Sequence, residues 1–283
     1  VTGVQTCALP ISDLERAIKL VRESRNVAVS LAPSFVALYS EWEQRRIPSA
    51  LRALGFARVA ETSVGAYPTA QATAALAARE PNRPHLCTAC PAFVNYIVKY
   101  RTELVDALTP ISSPMIAHAR LLKKQPGGAD HVVFIGPCVA KKAEADRPDL
   151  AGIVDCVLTF EEIQQWFERE NVKLDRLEES RFDDEPAGAA RFFPLPGGLT
   201  RTAALGADAL VSDIVAVSGI EDVKRLLDGI TKTKGPRIVE PLFCNQGCVN
   251  GPAMPGDRPL LTRRDSVLSY AEAAPGTVPG SRE

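Results

Sequence analysis

The chain has almost no net charge and few aromatic side chains. Its 283 residues include 33 basic and 34 acidic side chains, and aromatic residues make up only 6%. A nucleic-acid-binding domain normally carries a clustered excess of Lys and Arg, and single-strand binding also needs interleaved aromatic platforms. A polybasic membrane-surface protein would need the same excess of positive charge. The composition therefore speaks against nucleic-acid and membrane partners.

Long apolar runs and histidine are also scarce. No run approaches the roughly 18 apolar residues that a membrane-spanning helix requires. The three histidines, His85, His118 and His131, share no spacing typical of a metal site, and we expect each to lie in the core or at the surface. Apolar residues at 46% and charged residues at 24% are typical of a globular protein. The length favours about two lobes.

The number of cysteines in the chain is unusual. A chain of this size needs no disulfides for stability, and seven cysteines form an odd set for a secreted framework. We therefore expect a protein of the reducing cytoplasm in which some cysteines bind metal.

Both ends of the chain are predicted to lie outside the folded domain. Residues 1–12, VTGVQTCALPIS, resemble translated sequencing-adaptor sequence, so we exclude them and Cys7 and expect the true N-terminus to be missing. Residues 259–283, rich in Pro, Gly and charge, are predicted to be a flexible tail. The remaining domain spans residues 13–258.

Apolar β-branched runs alternate with helical patterns through the domain, which predicts an α/β fold with largely parallel sheets. We expect two lobes, at about 13–128 and 129–243, followed by a cysteine loop at 244–255. The charged and then Pro/Gly-rich stretch 176–200 is predicted to be a surface excursion. Thr159 and Glu162 form a capping box that begins a helix. The predicted strands are 27–32, 57–63, 131–136, 153–158, 210–218 and 237–243.

Four cysteines are placed at strand or helix ends. Cys138 and Cys244 each follow a predicted strand, Cys248 lies in the next loop, and Cys90 precedes Pro91 at the start of a helix. Ligand sites in open α/β sheets form beyond the carboxyl ends of strands, so these thiols are expected to converge. Scattered ligands favour an Fe–S cluster. A zinc site that pairs Cys87 and Cys90 with Cys244 and Cys248, or inert buried thiols, are the alternatives.

Three cysteine motifs together resemble the catalytic domain of iron-only (di-iron) hydrogenases. That family carries TSCCP, PCxxKKxE and CxxGCxxGGGQP. Here the corresponding segments are CTACP at 87–91, PCVAKKAE at 137–144 and CNQGCVNGPAMP at 244–255. The segments SSPMIAHARLLKK and FFPLPGGLTRTAAL are similar to family segments as well, so the resemblance spans about residues 27–255. It implies two α/β lobes, each with a mostly parallel sheet flanked by helices, with the cofactor in the cleft between them.

The resemblance also implies a ligand set and a reaction. Cys90, Cys138, Cys244 and Cys248 would hold a 4Fe–4S cubane. Cys248 would bridge it to a di-iron subcluster with CO, cyanide and dithiolate amine ligands, which together form the H-cluster. Lys141 would hydrogen-bond a cyanide, although a solvated lysine is the alternative, and Ser113 would be a relay serine unless it is simply a helix N-cap. The reaction would be reversible cleavage of H2 to protons and electrons. The implied partners are a ferredoxin or a missing ferredoxin-like domain, maturation proteins and a downstream signalling module.

Several departures from the family pattern remove proton carriers. Ala89 stands where the family has a second cysteine, and Cys87 lies two residues too early to replace it. Acidic residues of the family are replaced by Thr69, Gln71 and Thr73, and methionines near the di-iron unit by Gly136 and Leu242. Cys156 is expected to be a core residue. The pattern is similar to the sensory branch of the family, whose turnover is slow. The alternatives are an inactive Fe–S protein in cluster assembly or scaffolding, and a zinc-stabilised interaction domain.

Overall fold

The computed structural model describes residues 12–184, 188–205, 213–230 and 237–273, and these residues form two parallel β-sheets covered by helices. The predicted α/β class is confirmed. The strands are β1 (Val27–Leu31), β2 (Arg58–Glu61), β3 (His85–Leu86), β4 (His131–Gly136), β5 (Cys156–Thr159), β6 (Ile214–Ser218) and β7 (Ile238–Leu242). The first sheet has the strand order β2-β1-β4-β5 and the second has the order β3-β7-β6.

The first sheet is buried on both faces, as its continuous apolar strands require. All five residues of β1 are buried, and so are all but the first residue of β4. In the register of the sheet, Val29 lies between Val59 of β2 and Val133 of β4, and Val133 in turn pairs with Cys156 of β5. Most of the largest hydrophobic cluster of the molecule packs around these strands.

Helices connect the strands and cover the sheets. Thr159 caps the helix Phe160–Arg169 as predicted: its hydroxyl accepts from the backbone N–H of Glu162 at 3.2 Å, and the Glu162 carboxylate accepts from the backbone N–H of Thr159 at 2.7 Å. No helix in the described ranges is long and apolar enough to cross a membrane. The helices are α1 (Leu14–Glu23), α2 (Glu41–Gln44), α3 (Ile47–Ala53), α4 (Ser63–Arg79), α5 (Pro91–Tyr100), α6 (Pro114–Lys124), α7 (Ala140–Ala145), α8 (Phe160–Arg169), α9 (Gly198–Thr202), α10 (Ile220–Ile230) and α11 (Leu260–Glu272).

The two sheets do not divide the chain at residue 128, so the predicted lobe boundary is wrong. Strands β4 and β5, assigned by sequence to the second lobe, pair with β1 in the first sheet, while β3 from the first half pairs with β7. Short buried parallel strands have nearly the same composition wherever they lie. The sequence therefore shows that a strand exists but not which sheet it joins.

Two segments expected at the surface are packed inside the domain. Helix α11 lies within the predicted flexible tail, yet it buries Val267 and packs on residues 33–37 and 188–192. Residues 274–283 of that tail lie outside the described residues. Part of the predicted surface excursion is also buried, because Arg191 pairs with the fully buried Glu61 at 3.1 Å and stacks on the ring of Tyr270 at 3.9 Å.

Candidate cluster-binding site

One cavity between the two sheets brings together the four cysteines that the sequence analysis singled out, and Lys141. Cys138 lies between the end of β4 and α7, on the side of the first sheet. Cys90 is the residue before α5, and Cys244 and Cys248 follow β7, all three on the side of the second sheet. The thiols therefore meet at the carboxyl ends of parallel strands, where open α/β sheets form their ligand sites.

Burial and repulsion between neighbouring thiols raise the pKa values of Cys138, Cys244 and Cys248. Burial raises the pKa of Cys244 to about 12, and the neighbouring Cys138 and Cys90 raise it further. Burial likewise raises the pKa of Cys248 well above its usual range, again with repulsion from the other cavity thiols. For Cys138, burial outweighs the lowering of its pKa by Lys141 and by the backbone N–H groups of Ala140 and Lys141. A metal centre that binds these cysteines as thiolates would therefore release protons.

The two adjacent lysines of the second motif have different places in the structure. The Lys141 side chain lines the cavity, where its Nζ donates to Glu144 at 2.7 Å and to the carbonyl oxygen of Ala89 at 3.3 Å. Lys142 points away to the outer side of α7 and pairs with Glu162 at 2.8 Å and Asp13 at 3.4 Å. Neither lysine is freely solvated, and within the described cavity lining Lys141 is the cation.

Glycines of the third motif allow neighbouring loops to approach closely. Gly247 has φ of +86°, and a Cβ there would lie 2.4 Å from the carbonyl oxygen of Pro194. A Cβ on Gly251 would lie 2.7 Å from the carbonyl oxygen of Pro137. These glycines therefore pack the loop against two other loops of the site, which fixes the position of Cys248.

The cavity wall contains residues that the sequence analysis missed. Ser34 lines it, and its hydroxyl is buried without a hydrogen-bond partner. Phe134 lines it too, and a Cβ on Gly136 would lie 2.7 Å from the Phe134 ring, so this ring fills the side-chain space at position 136. Strand alternation places residues 134 and 136 on one face and could have revealed that exchange. Phe193 reaches the cavity from a distant segment, and no local signal points to it.

Ala89 and the two described cysteines outside the predicted ligand set, Cys87 and Cys156, lie in three different places. Ala89 lines the cavity, but Cys87 is buried behind the second sheet in an apolar cluster with Leu199 and Ile238. Cys87 is therefore not beside the site. Cys156 is buried in the first sheet, and burial, with Asp13 nearby, raises its pKa to about 12.

Ser113 occupies the N-cap position of α6 but makes no side-chain capping bond. Its hydroxyl is buried without a partner and belongs to a second cavity, which also contains Glu144 and Thr88 and does not include the four thiols. Ser113 is thus neither the expected cap nor part of the wall around the cysteines.

The threonines that replace family acids are held by backbone carbonyls. The hydroxyl of Thr73 lies 2.9 Å from the carbonyl oxygen of Thr69. The hydroxyl of Thr69 lies 3.0 Å from the carbonyl oxygen of Gly65 and 3.1 Å from that of Ser112. Gln71 lies on the same helix, α4. Such local bonds occupy the donors, so these hydroxyls do not form a path from the cavity.

The residues of the cavity fit an iron–sulfur cofactor. A cluster needs several thiolates, and four thiols line this wall together with one cation and one unpartnered hydroxyl, while the rest is almost wholly apolar. By contrast, the described residues contain no group of three or more His, Cys, Asp or Glu arranged to hold a single metal ion. Thiols spread over a wider wall suit the separate iron corners of a cubane better than one zinc ion.

Comparison with known protein families also points to an iron–sulfur protein. The model of the iron-only hydrogenase large subunit, C-terminal domain, matches residues 25–252. The chain belongs to this family. It is 26% identical to iron hydrogenase 1 of Clostridium pasteurianum, over 83% of this chain and 51% of that protein. It is also 25% identical to cytosolic iron-sulfur assembly component 3 of Bos taurus, over 71% of this chain and 54% of that protein.

The solved structures agree on the fold of this hydrogenase-family domain. A variant of the FeFe-hydrogenase HydA1 from Chlamydomonas reinhardtii, in its apo form, superposes with a TM-score of 0.74 at 19% identity and covers 94% of this chain and 92% of that chain. The chain spans about half the length of the curated relatives named above, 51% and 54%. The relatives include both hydrogenases and assembly proteins, so the family alone does not decide the activity.

Proposed function

We propose that this domain holds a 4Fe–4S cubane on Cys90, Cys138, Cys244 and Cys248, joined through Cys248 to a di-iron subcluster, and that it cleaves H2 slowly and reversibly. The observation that carries the proposal is the convergence of these four thiols with Lys141 in one apolar cavity. When bound, the di-iron unit supplies the Lewis acid and the amine base for heterolytic cleavage of H2.

The residues of the chain position the cofactor and shield it. Lys141 places a fixed positive charge in the wall, where it can donate to an anionic ligand, and Glu144 holds its Nζ in place. The unpartnered hydroxyl of Ser34 offers a second donor. Phe134, Phe193 and Leu242 exclude water from the cavity.

Slow turnover follows from the loss of the family's proton carriers at positions 69, 73 and 89. The methyl side chain of Ala89 carries no exchangeable proton, and the hydroxyls of Thr69 and Thr73 are bound to carbonyls. A positioned acid or base contributes roughly 10²- to 10⁴-fold to proton transfer. Loss of such groups suits a domain that senses H2 or redox state in the cytoplasm more than one that produces H2 in bulk. Electrons would leave through a ferredoxin-type partner, and maturation proteins would supply the di-iron unit.

A second candidate is an inactive iron–sulfur protein of cluster assembly. The similarity to the Bos taurus assembly component over 71% of this chain favours it. In that case the cavity would hold the cubane alone, and Lys141 would only balance the charge of the cluster.

Infrared spectroscopy of the anaerobically maturated protein separates the two candidates. A di-iron unit gives CO and cyanide stretching bands and raises the iron content to about six per chain, against about four for a cubane alone. Bands with measurable H2 uptake support the hydrogenase function. An iron content of about four without those bands would assign the assembly function instead.

A cysteine at position 89 tests why turnover is slow. The change Ala89→Cys places a thiol beside Cys90, and H2 production should rise by roughly 100-fold if missing proton transfer limits the rate. The matched change Ala92→Cys places a thiol elsewhere in the cavity wall and should not raise it. An unchanged rate in Ala89→Cys with intact infrared bands would show that another step limits turnover.

A further inference from the structure

A chain of buried hydrogen bonds leads away from the cavity through residues that belong to none of the three cysteine motifs. Thr62 lines the cavity, and its Oγ1 lies 2.7 Å from Oγ of Ser30 on β1. The same Ser30 oxygen lies 2.8 Å from Nδ1 of His118 on α6. Ser30 and His118 are fully buried and Thr62 is 4% exposed, so each bond is shielded from solvent.

The far end of this chain reaches a carboxylate near the surface. His118 Nε2 and Asp184 Oδ2 are both buried without a hydrogen-bond partner, and they lie 3.8 Å apart. The two atoms face each other, and a shift of less than 1 Å would bring them into hydrogen-bond range. Asp184 also pairs with Arg58, and both side chains reach solvent in part. The His118 contact, followed by the Arg58 pair, holds the pKa of Asp184 below its usual range.

The chemistry of the groups sets one direction for the hydrogen bonds. An ionised carboxylate can only accept, so His118 must carry its proton on Nε2 to face Asp184. Nδ1 then accepts, which requires the Ser30 hydroxyl to donate to it. The Ser30 oxygen is left to accept from Thr62, and the Thr62 oxygen is left to accept from the cavity. Every hydrogen bond therefore points outward, from the cavity to Asp184.

We propose that Thr62, Ser30, His118 and Asp184 form a proton relay between the cavity and solvent, in place of the path that Ala89 interrupts. The relay rests on the proposed H2 function. A proton from cleaved H2 binds the Thr62 oxygen as Thr62 passes its own hydroxyl proton to Ser30. Ser30 passes its proton to Nδ1, and Nε2 releases its proton to the Asp184 carboxylate and then to water. The hydroxyls and the His118 ring then return to their starting hydrogen-bond arrangement, and the second proton of H2 follows the same path. The two electrons leave one at a time to two one-electron acceptors, so charge and atoms balance.

Close packing holds the histidine in this position. A Cβ on Gly65 of α4 would lie 2.5 Å from Cβ of His118, so α4 presses directly on α6 at this point. A histidine placed only to fill the core would need no chain of two hydroxyls that ends at a cavity wall. His85 provides the contrast, because it is equally buried and its Nε2 contacts only the carbonyl oxygen of Glu80, at 2.8 Å.

The first test uses the protein without metal and does not depend on activity. Nitrogen-15 NMR of the histidine rings reports which ring nitrogen carries the proton. The relay requires the neutral His118 ring to be protonated on Nε2, with Nδ1 as a hydrogen-bond acceptor, and requires Ser30→Ala to shift the Nδ1 resonance. Protonation on Nδ1 would reverse the direction of the bonds and overturn the relay, whatever the H2 assay gives.

The second test measures exchange of D2 with solvent protons in the maturated protein. Ser30→Ala and His118→Gln should each slow the formation of HD by roughly 100-fold while the CO and cyanide bands stay as in the wild type. His85→Gln, the same change at the other fully buried histidine, should keep the wild-type exchange rate. Wild-type exchange in both relay variants would overturn the relay alone. A wild-type protein with no exchange at all would remove the proposed function and the relay with it.

Discussion

The two sheets that meet at the cavity differ sharply in how well they are supported. In the first sheet, β1 is buried along its whole length, and helices cover both faces. In the second sheet, β7 and β3 are buried but β3 has only two residues, and every residue of β6 is at least partly exposed. The cavity therefore has one rigid wall and one wall with little support of its own.

The four cysteines of the cavity are divided unevenly between these two walls, so cluster binding should affect the two sheets differently. Cys138 follows a strand of the first sheet, whereas Cys90, Cys244 and Cys248 lie on segments that follow strands of the second. A cluster bound to all four joins the sheets by metal–sulfur bonds. A cluster that binds only the folded protein stabilises the segments that carry its ligands. We therefore expect the cluster to stabilise the second sheet more than the first.

Removing one cysteine from the cavity should have the largest effect. In Cys138→Ala, the first sheet loses its ligand, and iron after anaerobic reconstitution should fall from about four atoms per chain to nearly none. Cys156→Ala removes a buried thiol from the same sheet, outside the cavity, and should keep its iron. Iron content, measured together with visible absorption, checks both variants. Equal iron in the two would show that Cys138 is not a ligand.

Loading the cluster should protect the two sheets to different degrees. Amide hydrogens of β3 and β7 should exchange roughly 100-fold more slowly after reconstitution, as expected for a ligand well above its dissociation constant. Amides of β1 and β4 should change much less, because the first sheet packs in the largest hydrophobic cluster and the second sheet in smaller ones. Hydrogen–deuterium exchange by mass spectrometry compares the apo and reconstituted proteins. Equal protection of both sheets would contradict the view that only one wall depends on the cluster.

Matched valine truncations compare the walls without any cofactor. Val133 on β4 is fully buried, whereas Val215 on β6 is partly exposed. Val133→Ala should lower the free energy of unfolding by about 2–3 kcal/mol, because it removes buried methyl groups and leaves a cavity. Val215→Ala should cost about 1 kcal/mol or less. Urea denaturation of both variants measures the free energy of unfolding. Equal losses in the two variants would show that packing supports the two sheets equally.

The parts of the fold that the sequence predicts are those set by local patterns. The apolar run at 131–136 predicts β4, and Thr159 with Glu162 predicts the start of α8, because a strand and a cap depend on neighbouring residues. The sheet that β4 joins depends on packing against Val27–Leu31, about a hundred residues earlier, and nothing in the local pattern encodes it. The predicted lobe boundary is therefore wrong, although β1, β2, β4, β5, β6 and β7 each overlap a predicted strand. The two-residue strand β3 was not predicted, and residues 210–212 of the predicted strand 210–218 lie outside the described residues.

The residues of the site also fall into those that local patterns predict and those that depend on long-range packing. Cys90, Cys138 and Cys244 lie at the ends of strands or the start of a helix, so their convergence follows from the general geometry of parallel sheets. Ser34 follows β1 by three residues, so the same rule could have pointed to it. Phe193 enters the cavity from a distant segment, and its neighbours in the sequence give no sign of it. His118 was expected to lie in the core or at the surface. Its place in a chain of hydroxyls depends on Ser30, which lies 88 residues away.

The smallest predicted effect concerns a charge that ties β4 to β5 in the rigid wall. Asp155 accepts hydrogen bonds from Nζ of Lys123 at 2.7 Å and from the backbone N–H of Val132 at 2.8 Å, and its second oxygen lies 3.1 Å from Nδ1 of His131. Burial alone would raise the pKa of Asp155, but these bonds outweigh it and hold the pKa below its usual range. The ionised form is therefore the one that the folded state prefers.

A depressed pKa in the folded state contributes stability above the unfolded pKa, about 3.9, and loses it as the pH falls through the folded pKa. Asp155→Asn should therefore cost about 1–2 kcal/mol at pH 7, and the difference from the wild type should shrink as the pH drops below about 4. Asp130→Asn, at an exposed neighbouring position, is the control and should show no such trend. Urea midpoints between pH 3 and pH 7 measure both variants. A difference that stayed constant with pH would mean that Asp155 supports the first sheet through the shape of its hydrogen bonds and not through its charge.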